Sequence, residues 1–221
     1  MFWIPDAAEF PFYARAAPLQ KLLHLWFASN GLQVAHGAAV AGEAGCVLLA
    51  GNSGAGKSSA TLACLPSPLL GHLGDDYCVL EAEPGGGTDV HALYSSAKAS
   101  AETMERLGLD PAIVANPVRA ADEKAVFFLA DHAPDQLVTR ATLRAIAIPA
   151  VTGGRETRLV PVGRGEALAA LGPSTMLQLP GTGAATLARL AAISRSVPAF
   201  RLEAGTDPEL VAPALAELLS R

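Results

Sequence analysis

The sequence predicts a single α/β domain with a mixed sheet, flanking helices and a helical C-terminus. Its 221 residues are 51% hydrophobic and 17% charged, which is enough apolar side chain to build a sizeable core. Short apolar runs typical of buried strands alternate with segments of helical periodicity. One such run, Cys46–Ala50, leads directly into a glycine-rich loop and then a helix. There is no internal repeat and no linker, so we expect one domain.

The predicted elements follow from local signals along the chain. Met1–Ala17 is rich in proline and aromatic residues and is predicted to be an extended lead-in, after which Pro18 opens a helix that Gly31 ends. Residues 1–30 are therefore expected to pack as a lead-in and helix on a main unit of residues 31–221. The further predictions are strands at Leu32–Val40, Cys46–Ala50, Leu69–Leu73, Tyr77–Glu81, Ala125–Ala130 and Ala145–Pro149, a hairpin or loop tip at Pro84–Gly87, and helices at Lys57–Leu65, Ala101–Leu107, Glu166–Leu171, Ala184–Ser194 and Pro208–Ser220.

Composition argues against several classes of protein. The net charge of −5 and the presence of only four lysines disfavour a nucleic-acid-binding surface. No run of 18 uninterrupted apolar residues exists, so we expect no membrane span, and no positive segment precedes an apolar stretch to form a signal peptide. Cys46, Cys64 and Cys78 are odd in number and lack close pairing, which disfavours a disulfide framework or zinc site. A reducing cytoplasm is the expected location.

The segment from Gly51 to Ser58 matches the phosphate-binding pattern G-x-x-x-x-G-K-[ST] at every fixed position. Glycines in such a loop let successive N–H groups point inward at phosphates, and the following helix adds its positive N-terminal end. We expect Lys57 to reach the terminal phosphates and Ser58 to offer its hydroxyl to Mg²⁺. The residues predicted to bind the nucleotide here, ATP with Mg²⁺, are Gly51, Asn52, Ser53, Gly54, Ala55, Gly56, Lys57, Ser58 and Ser59.

An acidic pair, Asp75-Asp76, directly follows the first strand after the predicted P-loop helix. One carboxylate could hold the metal, and the other could accept a proton from an incoming hydroxyl. In isolation the pair is equally typical of a solvated turn. His36 lies one strand before the loop, where it could orient or tune Asp75, although a lone histidine is more often structural.

The ordered set of His36-Gly37, the phosphate loop and Asp75-Asp76 resembles the catalytic domain of HPr kinase/phosphorylase. The segment from Ile148 to Arg155 is similar to an Ile-Pro-x-x-x-Gly-Arg stretch of that family, and the motifs together span Val34 to about Arg158. The resemblance implies a P-loop kinase domain of this type. It further implies that Asp75 is the proton acceptor with His36 beside it, that Asp76 and Ser58 lie near Mg²⁺, and that Arg155 lies near the phosphates or the acceptor.

Two differences from that family are informative. We expect no large N-terminal regulatory domain before the kinase-like part, and the Arg-Gly-x-Gly signature associated with the reverse activity has no counterpart in the sequence. The compact form resembles shortened HPr-kinase-like proteins of peptide natural-product clusters, including the lasso-peptide kinases, which phosphorylate a serine of a precursor peptide. The segment from Leu93 to Lys98 is similar to a Tyr-x-x-x-Lys stretch of this branch, which adds Lys98 to the nucleotide-binding candidates.

We therefore expect a cytoplasmic, Mg²⁺- and ATP-dependent kinase that acts on a hydroxyl group. The acceptor that we expect first is a serine of a peptide or small protein. No nucleic-acid or membrane partner is expected, and the sequence leaves a homo-oligomer open. Two alternatives stay open as well. One is a small-molecule kinase on the same scaffold, and the other is a nucleotide-binding switch or assembly protein without transferase chemistry.

Overall fold

The computed structural model describes residues 3, 4, 6 and 10–220. The helices are α1 Phe12–Ala16, α2 Gln20–Ser29, α3 Lys57–Cys64, α4 Ala101–Leu107, α5 Leu129–His132, α6 Arg164–Gln178, α7 Ala184–Ser196 and α8 Val211–Ser220. The strands are β1 Gln33–His36, β2 Ala38–Gly42, β3 Gly45–Leu49, β4 Gly71–Gly74, β5 Tyr77–Ala82, β6 Thr88–Ala92, β7 Ser96–Ala99, β8 Ala125–Phe128, β9 Arg140–Val151, β10 Arg158–Val162 and β11 Ala199–Ala204.

The main sheet is mixed, as the sequence predicts. Its strand order is β1-β5-β6-β9-β3-β2-β4, with β11 added beside β9 and β10 beside β11. Strand β9 pairs in parallel with β3 and with β11, whereas the other pairs of this sheet are antiparallel. Strands β7 and β8 form a separate antiparallel pair. The long strand β9 therefore pairs with three strands, β6, β3 and β11, and connects the parts of the sheet to which they belong.

Helices cover both faces of the sheet around β3, whose side chains alternate between two cores. Leu48 packs in the core that contains Leu171 of α6 and Leu190 of α7. Val47 and Leu49 face the opposite way, into the core that α3 and α8 complete. Because β3 is buried on both faces, neither of its faces contacts water, which explains why its sequence is a continuous apolar run. The α/β class with a mixed sheet, flanking helices and a helical C-terminus is confirmed.

The predicted strand Leu32–Val40 is wrong as a single element. The chain changes partners at Gly37, because β1 pairs with β5 while β2 pairs with β3 and β4. His36 and Gly37 stand at this point, but apolar residues continue on both sides of them, so the pattern alone does not show that the chain changes partners. The break places His36 at the end of β1, next to the turn between β4 and β5, where the N–H of Gly37 donates to the carbonyl oxygen of Asp76 at 3.0 Å.

Other element bounds also differ from the predictions. The predicted helix Glu166–Leu171 is too short, because α6 continues through Gly172-Pro173 to Gln178 with its inner face buried in the core. Pro173 removes one backbone donor, a loss that burial of this face outweighs. The predicted strand Ala145–Pro149 lies in the second half of the longer β9, and β6, β7, β10 and β11 have no counterpart among the predicted strands. Pro208–Leu210 forms a 3₁₀ turn ahead of α8.

The N-terminal segment packs on the sheet rather than extending away from it. The predicted extended lead-in contains the short helix α1, and its residues 1, 2, 5 and 7–9 lie outside the described residues. Helix α2 packs against β1, and the ring of His24 is hydrogen-bonded to the carbonyl oxygen of Pro180 at 3.0 Å. The hydroxyl of Tyr94 donates to the carbonyl oxygen of Pro18 at 2.8 Å. None of the helices that the structure describes combines the length and apolar character of a membrane span.

Candidate active site

The glycine-rich segment forms the loop between β3 and α3, as its spacing predicts. Gly54 has a φ of 83° and Gly56 a φ of 97°, a conformation that residues with a side chain rarely adopt. These turns curl the backbone at the N-terminal end of α3, where the first helical N–H groups have no partner within the helix. The loop therefore has the shape and polarity of a phosphate-binding nest.

Lys57 lies across this loop. Its ammonium group donates to the carbonyl oxygens of Gly51 at 2.7 Å and Asn52 at 3.1 Å, and the residue is 5% exposed. Burial lowers the pKa of Lys57, and the carboxylates of Asp76 and Asp75 oppose that shift. The structure thus holds the positive charge of Lys57 at the loop, where its ammonium group donates to two neutral carbonyl oxygens. Phosphate oxygens can replace these carbonyl oxygens as acceptors.

Ser58 and Asp75 are bonded to each other. The Ser58 hydroxyl donates to Oδ1 of Asp75 at 2.8 Å, and the backbone N–H of Lys98 donates to Oδ2 at 3.0 Å. Asp75 is only 3% exposed. Burial raises the pKa of Asp75 to about 6, helped by the neighbouring Asp76 charge and opposed by these hydrogen bonds. Each oxygen of Asp75 therefore accepts one hydrogen bond from the protein and keeps a second lone pair.

Asp76 has a different environment from its neighbour. Its φ of 64° is left-handed, a conformation that non-glycine residues seldom hold and that aspartate tolerates better than most. Nζ of Lys98 donates to its Oδ2 at 2.6 Å. Burial alone would raise the pKa of Asp76, but the charge and hydrogen bond of Lys98, together with the charges of His36 and Lys124, lower the pKa below its usual range. Asp76 is therefore an ionised carboxylate in the tight turn between β4 and β5.

The partner of His36 is Gln178 on α6 rather than Asp75. The amide nitrogen of Gln178 lies 3.2 Å from each ring nitrogen of His36, and its amide oxygen accepts from the hydroxyl of Tyr77 at 2.8 Å. The backbone N–H of His36 donates to the hydroxyl of Thr175 at 3.0 Å. Burial lowers the pKa of His36 to about 4, with repulsion by Lys57 as a second cause. The imidazole is thus neutral and oriented by an amide.

A polar cavity of about 330 Å³, which we call the phosphate cavity, joins these groups. The predicted residues that line it are His36, Ser53, Gly54, Gly56, Lys57, Ser58, Ser59, Asp76 and Lys98. An adjoining cavity of about 280 Å³, the outer cavity, shares His36, Asp76 and Lys98 and extends to Tyr13 and Gln178. Asp76 borders both cavities, whereas Asp75 lies behind Ser58. The two adjacent carboxylates therefore occupy different places in the site.

Sequence reasoning missed several residues that line the two cavities, among them Lys124, Arg106 and Gln178. Lys124 lines both cavities because β8 pairs with β7 and brings it near Lys98, and its rarity as one of four lysines is the signal that could have drawn attention to it. Arg106 lines the phosphate cavity from the last turn of α4. Gln178 gave no local signal, since it meets His36 across 142 positions of the chain.

The structure does not bring Arg155 to the phosphate loop. Arg155 is exposed in the turn after β9 and lines a separate surface depression with Glu156, Arg158 and Glu203. The part of the predicted Ile148–Arg155 segment that reaches the phosphate cavity is Val151. A role for Arg155 near the phosphates or the acceptor stays a prediction.

Comparison with known proteins finds likeness in structure and none in sequence. No protein-family model matches the chain. No curated protein matches it either. Among solved structures, the chain is similar to the Hpr(Ser) kinase/phosphatase from Coxiella burnetii, with a TM-score of 0.47 and 11% sequence identity over 84% of this chain and 95% of that one.

Proposed function

We propose that the chain is a kinase that transfers the terminal phosphoryl group of ATP, in the presence of Mg²⁺, to a hydroxyl group. The observation that carries the proposal is that the two adjacent carboxylates have different positions at one cavity. A phosphate loop with a buried lysine faces the ionised carboxylate of Asp76, while the second carboxylate, Asp75, is bonded to the loop's own Ser58. Phosphoryl transfer needs these parts: a phosphate cradle, a metal position and a group that takes the acceptor's proton.

The loop residues fit a triphosphate. The turns at Gly54 and Gly56 curl the backbone at the N-terminus of α3, and the Lys57 ammonium sits at the loop on carbonyl acceptors. Lys98 and Lys124 add positive charge at the side of the cavity where Asp76 lies. These cations would bind and orient the phosphate oxygens, and they would gather the charge that develops there during transfer.

The residues present also fit Mg²⁺. The Ser58 hydroxyl lines the phosphate cavity and donates its hydrogen bond to Asp75 at 2.8 Å, so the lone pairs of the Ser58 oxygen can bind a hard cation. The described part of the chain holds no cluster of three His, Cys, Asp or Glu side chains, so the remaining ligands would come from phosphate and water, as is usual for Mg²⁺. When bound, the ion would neutralise charge on the phosphate oxygens. The role of Asp75 in this proposal is to hold Ser58 in place for it.

Asp76 is then the proton acceptor. Its carboxylate borders both the phosphate cavity and the outer cavity, so an acceptor hydroxyl entering from the outer cavity would meet it. The Lys98 ammonium holds the carboxylate in position at 2.6 Å. This assignment exchanges the roles that the family resemblance implies for Asp75 and Asp76. It is supported by placement, because Asp76 borders both cavities whereas Asp75, which is hydrogen-bonded to Ser58 and to the backbone N–H of Lys98, lines neither of them.

The finer part of the proposal is the acceptor, a serine hydroxyl of a peptide. It is supported by the sequence resemblance to the shortened kinases, including the Tyr94–Lys98 stretch whose lysine pairs with Asp76. The net charge of −5 also disfavours a nucleic-acid acceptor. The outer cavity, reached past Tyr13 of α1, is where the acceptor chain would enter.

The direct test is incubation with γ-labelled ATP and Mg²⁺ against two sets of acceptors, serine-ending peptides and small hydroxyl compounds. We expect a peptide to gain phosphate, and the gain to vanish when its serine becomes alanine. Lys57→Ala is the matched inactive control. Transfer to small compounds alone would replace the peptide proposal with a small-molecule kinase. Binding of ATP without transfer to any acceptor would favour the nucleotide-dependent switch.

A further inference from the structure

We infer that Asn116 is a positioning residue of the site, which holds Lys124 at the junction of the two cavities so that its ammonium group can bind the phosphoryl group during transfer. This inference rests on the proposed function, because it takes the phosphate cavity as the place of the terminal phosphate and the outer cavity as the entrance of the acceptor. Asn116 itself lines neither cavity. It therefore acts on the reaction through Lys124.

Lys124 stands where the two cavities meet. It lines both of them, together with His36, Ser53, Asp76 and Lys98. Asp76 and Lys98 are bonded to each other at 2.6 Å. The ammonium group of Lys124, in contrast, has no hydrogen-bond or ion-pair partner among the residues that the structure describes. Lys124 is therefore a cation at this junction that is free to bind a substrate.

The paired strands β7 and β8 direct Lys124 towards the junction. Lys98 is the register partner of Val126, and both line the outer cavity. Because alternate residues of a strand share a face, Lys124, which immediately precedes β8, lies on the same face as Val126. The opposite face carries Ala125 and Phe127, which are buried in the core beneath the pair. The alternation thus places Lys124 on the side of the cavities and beside Lys98.

The charge of Lys124 acts on the groups around it. Burial is the main cause that lowers the pKa of His36 and of Lys57, and the charge of Lys124 lowers both further. Lysines that repel one another without a counter-ion favour the binding of an anion between them. The phosphoryl group that passes from one cavity to the other is such an anion.

The side chain of Asn116 fixes the backbone of Lys124. Asn116 is 1% exposed, and its amide nitrogen donates to the carbonyl oxygen of Lys124 at 3.0 Å. Its amide oxygen accepts from the backbone N–H of Val126 at 2.8 Å. An ionised carboxylate or an aliphatic side chain cannot satisfy both partners, since the first needs a donor and the second an acceptor. Next to it, the N–H of Ala115 donates to the carbonyl oxygen of Val126 at 2.8 Å. The side chain of Lys124 therefore starts from a fixed point.

The transfer itself shows what Lys124 would do. The acceptor oxygen forms a bond to the terminal phosphorus while the bond between that phosphorus and the bridging oxygen of ADP breaks. The bridging oxygen keeps the electron pair of the broken bond, and Asp76 takes the acceptor's proton. Lys124 keeps its own protons and donates hydrogen bonds to the oxygens of the moving phosphoryl group, where charge is spread in the transition state.

Steady-state kinetics of Lys124→Met, Asn116→Ala and the double variant test the inference. We expect Lys124→Met to lower kcat about 10²–10³-fold, the loss typical of removing one donor to a transition state. Asn116→Ala should lower kcat at least about tenfold, because the ammonium group is then misplaced. The dissociation constant for ATP with Mg²⁺ should change less than about fivefold in each, since an exposed ionic contact contributes little to binding. If Asn116 acts through Lys124, kcat of the double variant lies within about twofold of that of Lys124→Met.

The outcomes separate this inference from the proposed function. Lys21→Met is the matched control with wild-type kcat, since Lys21 is exposed on α2 and lines neither cavity. Wild-type kcat in Lys124→Met, a change at an exposed position, overturns the inference even where Asn116→Ala does not fold. Wild-type kcat in folded Asn116→Ala, or a double variant in which the two losses multiply, overturns it as well. Absence of transfer by the wild type to any acceptor would instead remove the proposed function.

Discussion

Replacing Asp76 with asparagine tests which of the two adjacent carboxylates accepts the proton. Asparagine keeps the shape of the side chain, but its amide is not a base and gives Lys98 no counter-charge at the present distance of 2.6 Å. Loss of a general base costs about 10²–10⁴-fold in turnover, which corresponds to about 2.7–5.4 kcal/mol in the transition state. We expect Asp76→Asn to lose turnover by that factor. Its ATP affinity should change far less, because Lys57 and the loop are untouched.

Asp75→Asn is the matched comparison at the neighbouring position. Asp75 accepts hydrogen bonds from Ser58 and from the backbone N–H of Lys98, and asparagine can accept only one of them. Losing one hydrogen bond to a charged group costs about 1.5–3 kcal/mol. Because the backbone N–H of Lys98 can only donate, we expect the amide oxygen to keep that bond and the amide nitrogen to face Ser58. The changed contact to Ser58 should raise the Mg²⁺ requirement and cause a partial loss of turnover that added Mg²⁺ restores.

The assay is the initial rate of label transfer from ATP to the best peptide acceptor, measured across Mg²⁺ concentrations. Thermal unfolding of each variant controls for folding. The exchange of roles is refuted if Asp75→Asn abolishes turnover at every Mg²⁺ concentration while Asp76→Asn shows only a raised Mg²⁺ requirement. Normal turnover by both variants would mean that the pair is a structural turn.

Three further predictions concern other residues. Lys57→Ala should raise the dissociation constant for ATP with Mg²⁺ roughly ten- to a hundredfold by removing a charge-assisted hydrogen bond, and unchanged affinity by calorimetry in a folded variant would contradict this. His36→Ala should lower turnover more than ATP affinity, because the imidazole that Gln178 holds at the border of the two cavities is then missing. A loss of thermal stability at unchanged turnover would instead show that His36 is structural. Burial lowers the pKa of His72 to about 4, and neither ring nitrogen has a partner among the described residues. Because the unfolded chain binds that proton near pH 6.5, the stability contributed by the neutral ring is complete above pH 6.5 and declines as the pH falls towards 4. At pH 5 the loss is about 2 kcal/mol. Urea unfolding at pH 7 and pH 5 should therefore show a smaller pH effect in His72→Leu than in the wild type, and equal pH effects would refute the assignment.

The sequence by itself determined the phosphate loop and the elements on either side of it. The strand into the loop, the loop glycines, Lys57 and the helix out of it are consecutive, so their pattern needs no knowledge of distant residues. The position of the acidic pair after the next strand could be predicted for the same reason. The class of fold also followed, because alternation of buried strands and amphipathic helices is a local property of the chain.

Only the tertiary structure decided how the site is put together. Two adjacent aspartates look alike in sequence, but the left-handed turn at Asp76 and the separate partners of the pair give each carboxylate its own place. His36 meets Gln178 because α6 continues past Pro173 and packs against β1, a contact between distant segments that no local pattern encodes. Strand pairing and helix packing set which side chains meet. Those choices depend on burial summed over the whole chain, so they are not visible in any single stretch of it.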